Sequence, residues 1–426
     1  MKKLLWVGDA GCPSGFAIAT HQILETLRQH YDVTVLGINY NGDPHEWPYS
    51  IYAAAFGGDQ FGVSRLIWMC DVVKPDVIVL QNDGWNIPYY MQRLIQTIEY
   101  KEIPVVAIVA VDGKNFNGEW LRGVSLAIFW TEFALNEARL GGYNGPAQVI
   151  TLGVNLETYK PLDRLEMRHK SRMKMIEGID EAFIVGNVNR NQPRKRWDLT
   201  IKYFAKWIEE KNINDAWLYF HAAPTGEMSI GVMELAKYYN ILDRTIGWTP
   251  PAFYGDTEDE MCETYNCLDV LLSTTQGEGM GLPALEAMAC GIACLLPDSS
   301  AYSEWAKDAA LLVPCTSTNA ASSPYKNVIG AVVDEQLFIQ SLDLLYRDHV
   351  ERQRIAARGS LRARESRFRW KNIGAAYVSA LESVFVTKQA VKDDVDAARQ
   401  RDIEAEQMQA RLIERRMKIM SGEIPA

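Results

Sequence analysis

Ser273-Thr-Thr-Gln-Gly-Glu-Gly-Met-Gly-Leu-Pro-Ala-Leu-Glu-Ala-Met-Ala-Cys-Gly291 packs a strand end, a glycine loop and a helix start into one short stretch. Val270 to Thr274 is predicted as a buried strand. Gly277, Gly279 and Gly281 can take backbone angles that other residues avoid, so their N–H groups can converge on an anion with no Cβ in the way. Pro283 suits the first position of a helix, whose orphan N–H groups and positive dipole end favour a phosphate. Glu278 lies in the loop and Glu286 in the first helical turn, eight positions on. Two carboxylates therefore flank one anion-binding loop.

That pairing suits a sugar nucleotide, which is anionic in the middle and rich in hydroxyls at its ends. A carboxylate accepts hydrogen bonds from adjacent hydroxyls, and such charge-assisted bonds are the strong ones. The Glu-Gly-x-Gly-x-Pro-x-x-Glu arrangement from Glu278 to Glu286 resembles the E-x7-E motif of retaining GT-B glycosyltransferases of the glycosyltransferase family 4-like, "glycosyl transferases group 1" type. The resemblance covers roughly residues 1 to 385. It implies an α/β chain of the GT-B class, with two Rossmann-like, doubly wound domains facing across a cleft and a C-terminal helical extension. It also implies that Glu286 binds the nucleotide ribose and that Glu278 lies at the donor sugar, with Gly279, Met280, Gly281 and Leu282 around the donor.

Composition agrees with an ordinary globular chain: 426 residues, 48% hydrophobic and 23% charged, enough for two cores. The formal net charge of −10 argues against general binding to nucleic acid or to anionic membranes. No run of about eighteen apolar residues is present, so no membrane-spanning helix is expected. The opening Met-Lys-Lys-Leu-Leu-Trp-Val-Gly-Asp is interrupted by an acid and glycines and reads as a first strand, not a signal peptide. Seven scattered cysteines, without ligand spacing, read as buried free thiols in a reducing cytoplasm.

From the front, Lys3 to Gly8 is a strand, Asp9 to Gly15 a glycine-bearing loop, Phe16 to His30 a helix and Asp32 to Ile38 the next strand. Gly8, Gly11 and Gly15 miss the dinucleotide spacing G-x-G-x-x-G, which argues against a nicotinamide site. The resemblance implies instead that this first loop faces the cleft, with Gly11, Ser14 and Gly15 near donor phosphates or acceptor. Further strands at Asp76 to Gln81, Pro104 to Val111, Ser125 to Trp130 and Ala147 to Leu152, spaced by helical segments, mean a mainly parallel sheet. Ligands bind beyond the carboxyl ends of such strands, which singles out Asn82-Asp-Gly-Trp85, Asp112-Gly-Lys-Asn115 and Thr131-Glu132. Many relatives carry a His near the second of these strand ends, that of Pro104 to Val111. Here Val111 and Asp112 stand in its place, and Asp112 is a candidate for orienting or deprotonating the acceptor hydroxyl. Trp85 and Trp120 are candidates for an apolar platform. Gly153-Val-Asn-Leu-Glu-Thr-Tyr-Lys-Pro161 resembles the family's G-V-D-x-x-x-F-x-P stretch at the end of the first domain, with Asn155 for Asp and Tyr159 for Phe.

A charged segment from Leu162 to Asp180 reads as a solvated run at the domain boundary. The expected organisation is a first, acceptor-side domain over 1–165, a linker over 166–181, a nucleotide-sugar domain over 182–370, a crossing helix over 371–388 and a charged helical tail over 389–426. Phe183 to Arg190 opens the second domain. The resemblance assigns Arg190 and Lys195 to the diphosphate, while Arg194 and Arg196 are expected to face solvent. Fixed cations in a dry cleft stabilise the charge that builds on a departing nucleoside diphosphate. The resemblance also implies that the strand Thr245 to Thr249 meets the nucleobase, through Gly247, Trp248 and Thr249. His221 has two open readings, cleft ligand or structural histidine.

The catalytic set implied is therefore Arg190, Lys195, Glu278 and Asp112, serving transfer of a sugar from a UDP-, GDP- or ADP-sugar to a hydroxyl with retention. No cofactor and no metal ion are expected, because Arg190, Lys195 and the helix dipole can neutralise the diphosphate. The acceptor stays open among a glycan, a lipid-linked sugar, a protein and a modified DNA base. A GT-B epimerase and a non-catalytic sugar-nucleotide binder remain alternatives, and the tail is a candidate for self-association.

Overall fold

The computed structural model describes residues 1–11, 14–97, 102–176, 178–223, 230–247, 255–321 and 328–386. The chain divides into a large unit, Met1–Val378, and a second unit, Ser379–Ala426, of which 379–386 are described and helical. The tail expected over 389–426 lies outside the described residues.

The large unit holds two parallel sheets. The first contains β1 (Lys2–Asp9), β2 (Tyr31–Ile38), β3 (Ser50–Ala53), β4 (Val77–Gln81), β5 (Val105–Val109), β6 (Leu126–Phe129) and β7 (Ala147–Val149) in the order β3-β2-β1-β4-β5-β6-β7. The second contains β8 (Phe183–Val188), β9 (Ala216–His221), β10 (Thr245–Ile246), β11 (Val270–Leu272), β12 (Ala293–Pro297) and β13 (Leu311–Val313) in the order β10-β9-β8-β11-β12-β13. Each pairing is parallel, as in β1 with β4 and β8 with β11. Both sheets are doubly wound. Their central strands read as near-continuous apolar runs because helices cover both faces: β4, β5 and β12 are buried throughout. Each sheet has its own apolar core. The strand order reverses between β1 and β4 in one sheet and between β8 and β11 in the other, and a ligand crevice opens beyond the strand ends at such a point.

Two elements depart from the sequence reading. The first is an antiparallel hairpin, β14 (Cys315–Ala321) with β15 (Val328–Val333), outside both sheets. Cys-Thr-Ser-Thr-Asn-Ala-Ala has no period-two apolar face by which to be recognised. The hairpin crosses to the first domain, where Lys114 and Ile329 exchange two backbone hydrogen bonds of 3.0 Å. The second is the charged segment. Within the helix Arg164–Lys170, Arg168 is 2% exposed rather than solvated. Its guanidinium donates to Asp269 Oδ2 at 2.7 Å and to the carbonyls of Cys267, Ile179 and Ala182, while Asp269 also accepts from Arg164 and from the Ile184 N–H. A charge cluster can enter a core when each donor and acceptor is matched, and here it ties the interdomain segment to β8 and to the residues just before β11.

After residue 368 the chain returns to the first domain. Val154 N–H donates to Phe368 O at 3.0 Å, and a Cβ on Gly374 would stand 2.1 Å from Thr26 Oγ1 in the helix Gly15–Leu27. No helix among the described residues is long and apolar enough to cross a membrane. Cys70, Cys262, Cys267, Cys290, Cys294 and Cys315 are free thiols.

Candidate active site

Loops after β1, β4 and β5 of the first sheet, and after β8 and β11 of the second, enclose a cleft of about 1050 Å³. Both reversal points thus open into one cavity.

The turn Pro193–Lys195 follows β8. It is held against the glycine loop through Gln276 N–H, which donates to Arg194 O at 2.8 Å, and Thr274 Oγ1, which donates to Arg196 O at 2.8 Å. Arg196 takes a left-handed conformation (φ 52°) and starts the helix Trp197–Lys211. This geometry aims Lys195 and Arg194 into the cleft. Lys195 Nζ donates to Glu278 Oε1, and both residues are buried, at 7% and 5% exposure. Arg194 does not face solvent as expected. Its Nη1 donates to Gly277 O at 3.1 Å and Glu278 Oε2 at 3.3 Å, and its Nε lies 3.3 Å from Asp112 Oδ2 across the cleft. Arg196 pairs with Asp198 at 2.8 Å, half-buried at the cleft wall.

Burial brings the Lys195 ammonium down to about 8, with Arg194 adding to the effect and Glu278 opposing it. Burial alone would raise the Glu278 carboxyl, but Lys195 and Arg194 hold it below its ordinary value. Asp112 is pushed up by burial and by Glu278, with Arg194 pulling the other way. The cluster is two cations facing two carboxylates, with Lys195 poised to lose its charge just above neutrality.

The three loop glycines do different things. The N–H groups of Gly277 and Glu278 donate to Thr275 Oγ1 and Ser300 Oγ, at 3.4 and 2.9 Å, so they do not converge on an anion in this arrangement. A Cβ on Gly277 would stand 1.7 Å from Asp112 O, and one on Gly279 3.0 Å from Ala110 Cβ. These two glycines let the loop abut the first domain. Gly281 alone is left-handed (φ 83°) and caps the helix Leu282–Ala289. Gly279, Met280, Gly281 and Leu282 line the cleft together with Gly15, Ser14, Arg190 and Asp112.

Glu286 lies one layer deeper. It accepts from Tyr265 OH at 2.7 Å, and burial raises its carboxyl to about 7, with the Tyr265 bond opposing. Gly11 and Gly247 are not among the lining residues. A Cβ on Gly11 would meet Asn39 O at 2.2 Å, and one on Gly247 would meet Phe220 O at 2.5 Å, so close packing accounts for both glycines. Trp248 and Thr249 lie outside the described residues. His221 is half-buried, 3.2 Å from Tyr219 OH and 3.9 Å from Asp256.

Sequence reasoning passed over Asp9, which accepts from Ser14 Oγ at 2.6 Å, and over Phe61 and Gln276; all three line the cleft. Asp9 ends a strand at the reversal point, a position that could have marked it. Nothing in the local sequence marks Phe61 or the hairpin residues Asn319, Ala320 and Gly330 as cleft residues.

Residues 170–327 match the family model "Glycosyl transferases group 1". The matched stretch runs from just before β8 through β14, most of the second domain. D-inositol 3-phosphate glycosyltransferases from Segniliparus rotundus and Salinispora tropica are 27% identical over 146 residues and 28% over 151, in each case 34% of this chain. The aligned segment spans about 30% of the length of those relatives. The GT-B fold extends much further than the sequence match. Sucrose-phosphate synthase from Thermosynechococcus elongatus superposes with a TM-score of 0.71 at 15% identity, over 91% of this chain and 100% of the other. HepE from Anabaena, solved with UDP and glucose, gives 0.66 at 16% identity over 90% and 100%.

Proposed function

We propose that the protein is a retaining glycosyltransferase that moves a sugar from a nucleotide-sugar donor to an acceptor hydroxyl without a metal ion. The observation that carries this reading is the buried Lys195–Glu278 pair, joined through Arg194 to Asp112 where the two reversal points meet. In this reading the diphosphate lies over Arg190 and Lys195 at the start of the helix Leu282–Ala289. Their charge and the helix dipole stabilise the leaving phosphate as the glycosidic bond breaks. Glu278 then stands at the donor sugar. Glu286 receives the ribose hydroxyls, exchanging its bond from Tyr265 for theirs. Asp112, on the first-domain side, orients the acceptor hydroxyl for attack on the face the phosphate leaves, and the departing phosphate takes the proton. UDP-glucose is the first donor to test, because HepE was also solved with it.

The test is nucleotide release from UDP-, GDP- and ADP-sugars in the presence of a chelator, with the anomeric configuration of the released or transferred sugar followed by NMR. Release from one donor with retention supports the reading. Release that disappears with the chelator refutes metal independence, and an inverted product refutes retention.

A further inference from the structure

The two walls of the cleft differ in charge. The cations among its lining residues, Arg190, Arg194, Lys195 and Arg196, all belong to the second domain. The first-domain wall presents three carboxylates, Asp9, Asp83 and Asp112, and among the described lining residues no Lys, Arg or His. Lys114, two positions past Asp112, is exposed and is not among the lining residues.

Between these carboxylates the wall is aromatic. Trp85 is half-buried, donates through Nε1 to Asp83 Oδ2 at 3.3 Å and meets Phe61 edge-on at 5.5 Å. Trp120 meets Phe116 in the same way at 5.4 Å. Both indoles are thereby fixed in place while remaining partly open to the cavity. On the opposite wall the Gln276 amide nitrogen is buried without a hydrogen-bond partner, in a side chain only 3% exposed. A buried donor without a partner fits a site completed by a ligand oxygen.

Aromatic rings that bury an apolar face and carboxylates that accept from neighbouring hydroxyls make a sugar-binding wall, with the Gln276 amide facing it from the second domain. On this wall Asp9 and Asp83 disfavour a phosphate group, while Asp112 is already paired with Arg194. Building on the transferase reading, we infer that the acceptor is an uncharged pyranoside that packs against Trp85 with its hydroxyls on the first-domain carboxylates. Sugar phosphates and other anionic acceptors should be used less well than the uncharged glycosides.

The experiment measures acceleration of nucleotide release by methyl glucoside, galactoside and mannoside, compared with glucose 6-phosphate, galactose 6-phosphate and mannose 6-phosphate. Quenching of tryptophan fluorescence by the same compounds gives a binding readout that needs no donor. The expected result is saturable acceleration by at least one glycoside, with kcat/KM at least ten-fold above that of its phosphate. Trp85→Ala raises KM for that glycoside ten-fold or more, and Trp85→Phe recovers part of it. Asp83→Lys shifts the preference towards the phosphate by ten-fold or more. Equal or better use of the phosphates overturns the inference, as does the absence of both acceleration and quenching by every glycoside. In either case, continued nucleotide release leaves the transferase reading standing; absence of release and of nucleotide binding removes that reading itself.

Discussion

Arg194 of the second domain reaches Asp112 of the first, Nε to Oδ2 3.3 Å, while its Nη1 holds Glu278. One guanidinium therefore links the carboxylate proposed to handle the acceptor with the carboxylate proposed to stand at the donor sugar. About a third of the Asp112 side chain is exposed, so the link spans a wet cleft and adds little stability. Asp112→Asn keeps the shape and removes the charge. Steady-state kinetics should show turnover lowered about a hundred-fold, the order expected when a reacting group loses its positioning contact, with nucleotide affinity changed by less than about three-fold.

The pH profile carries two signs. Glu286 titrates at about 7, and the proposed ribose bonds need the carboxylate, so kcat/KM rises with pH through about 7. Lys195 titrates at about 8, and the diphosphate needs the ammonium, so kcat/KM falls as pH rises through about 8. The expected profile is a narrow bell. Glu286→Gln should remove the acid limb and Lys195→Arg the alkaline one, each at lower overall activity; a profile that stays flat from pH 6 to 9 contradicts both assignments.

Gly277→Ala and Gly281→Ala should fail in different ways. The first places a Cβ 1.7 Å from Asp112 O, in the other domain, and Gly277 has no left-handed backbone to strain. Turnover should fall at least ten-fold with a small change in melting temperature. The second meets the buried Tyr302 ring at 2.4 Å and strains a φ of 83°, at a cost of about 2–3 kcal/mol. Its melting temperature should drop clearly, which thermal denaturation by circular dichroism reads directly.

Arg168→Ala strips donors from three carbonyls and one of the two guanidinium partners from Asp269, where the interdomain segment packs against the residues before β8 and β11. Breaking such a pair costs about 3–5 kcal/mol. The urea midpoint should fall accordingly.

Much of the architecture was legible because buried parallel strands write themselves as apolar runs. Leu4 to Val7, Ile78 to Leu80 and Ala293 to Leu296 are legible on that ground, and Pro283 marks the helix that starts one residue earlier, at Leu282. The inward turn of Arg194 was not legible. Which of three consecutive basic residues enters the cleft depends on the 3-10 turn at Pro193–Lys195 and the left-handed Arg196, not on spacing. The buried Arg168 was hidden for a related reason: its acceptors, Cys267 O and Asp269, lie about a hundred positions away. The glycine loop signalled an anion site, yet two of its three glycines answer to the neighbouring domain, a constraint no local pattern contains.

The central claim is that a nucleoside diphosphate sits over Lys195 at the glycine loop, and isothermal titration of UDP, GDP and ADP into wild type and Lys195→Ala tests it most directly. One of the three should bind saturably at one site per chain, and its affinity should fall at least ten-fold in the variant. No saturable heat from any of them, or the same affinity with and without Lys195, would contradict the account.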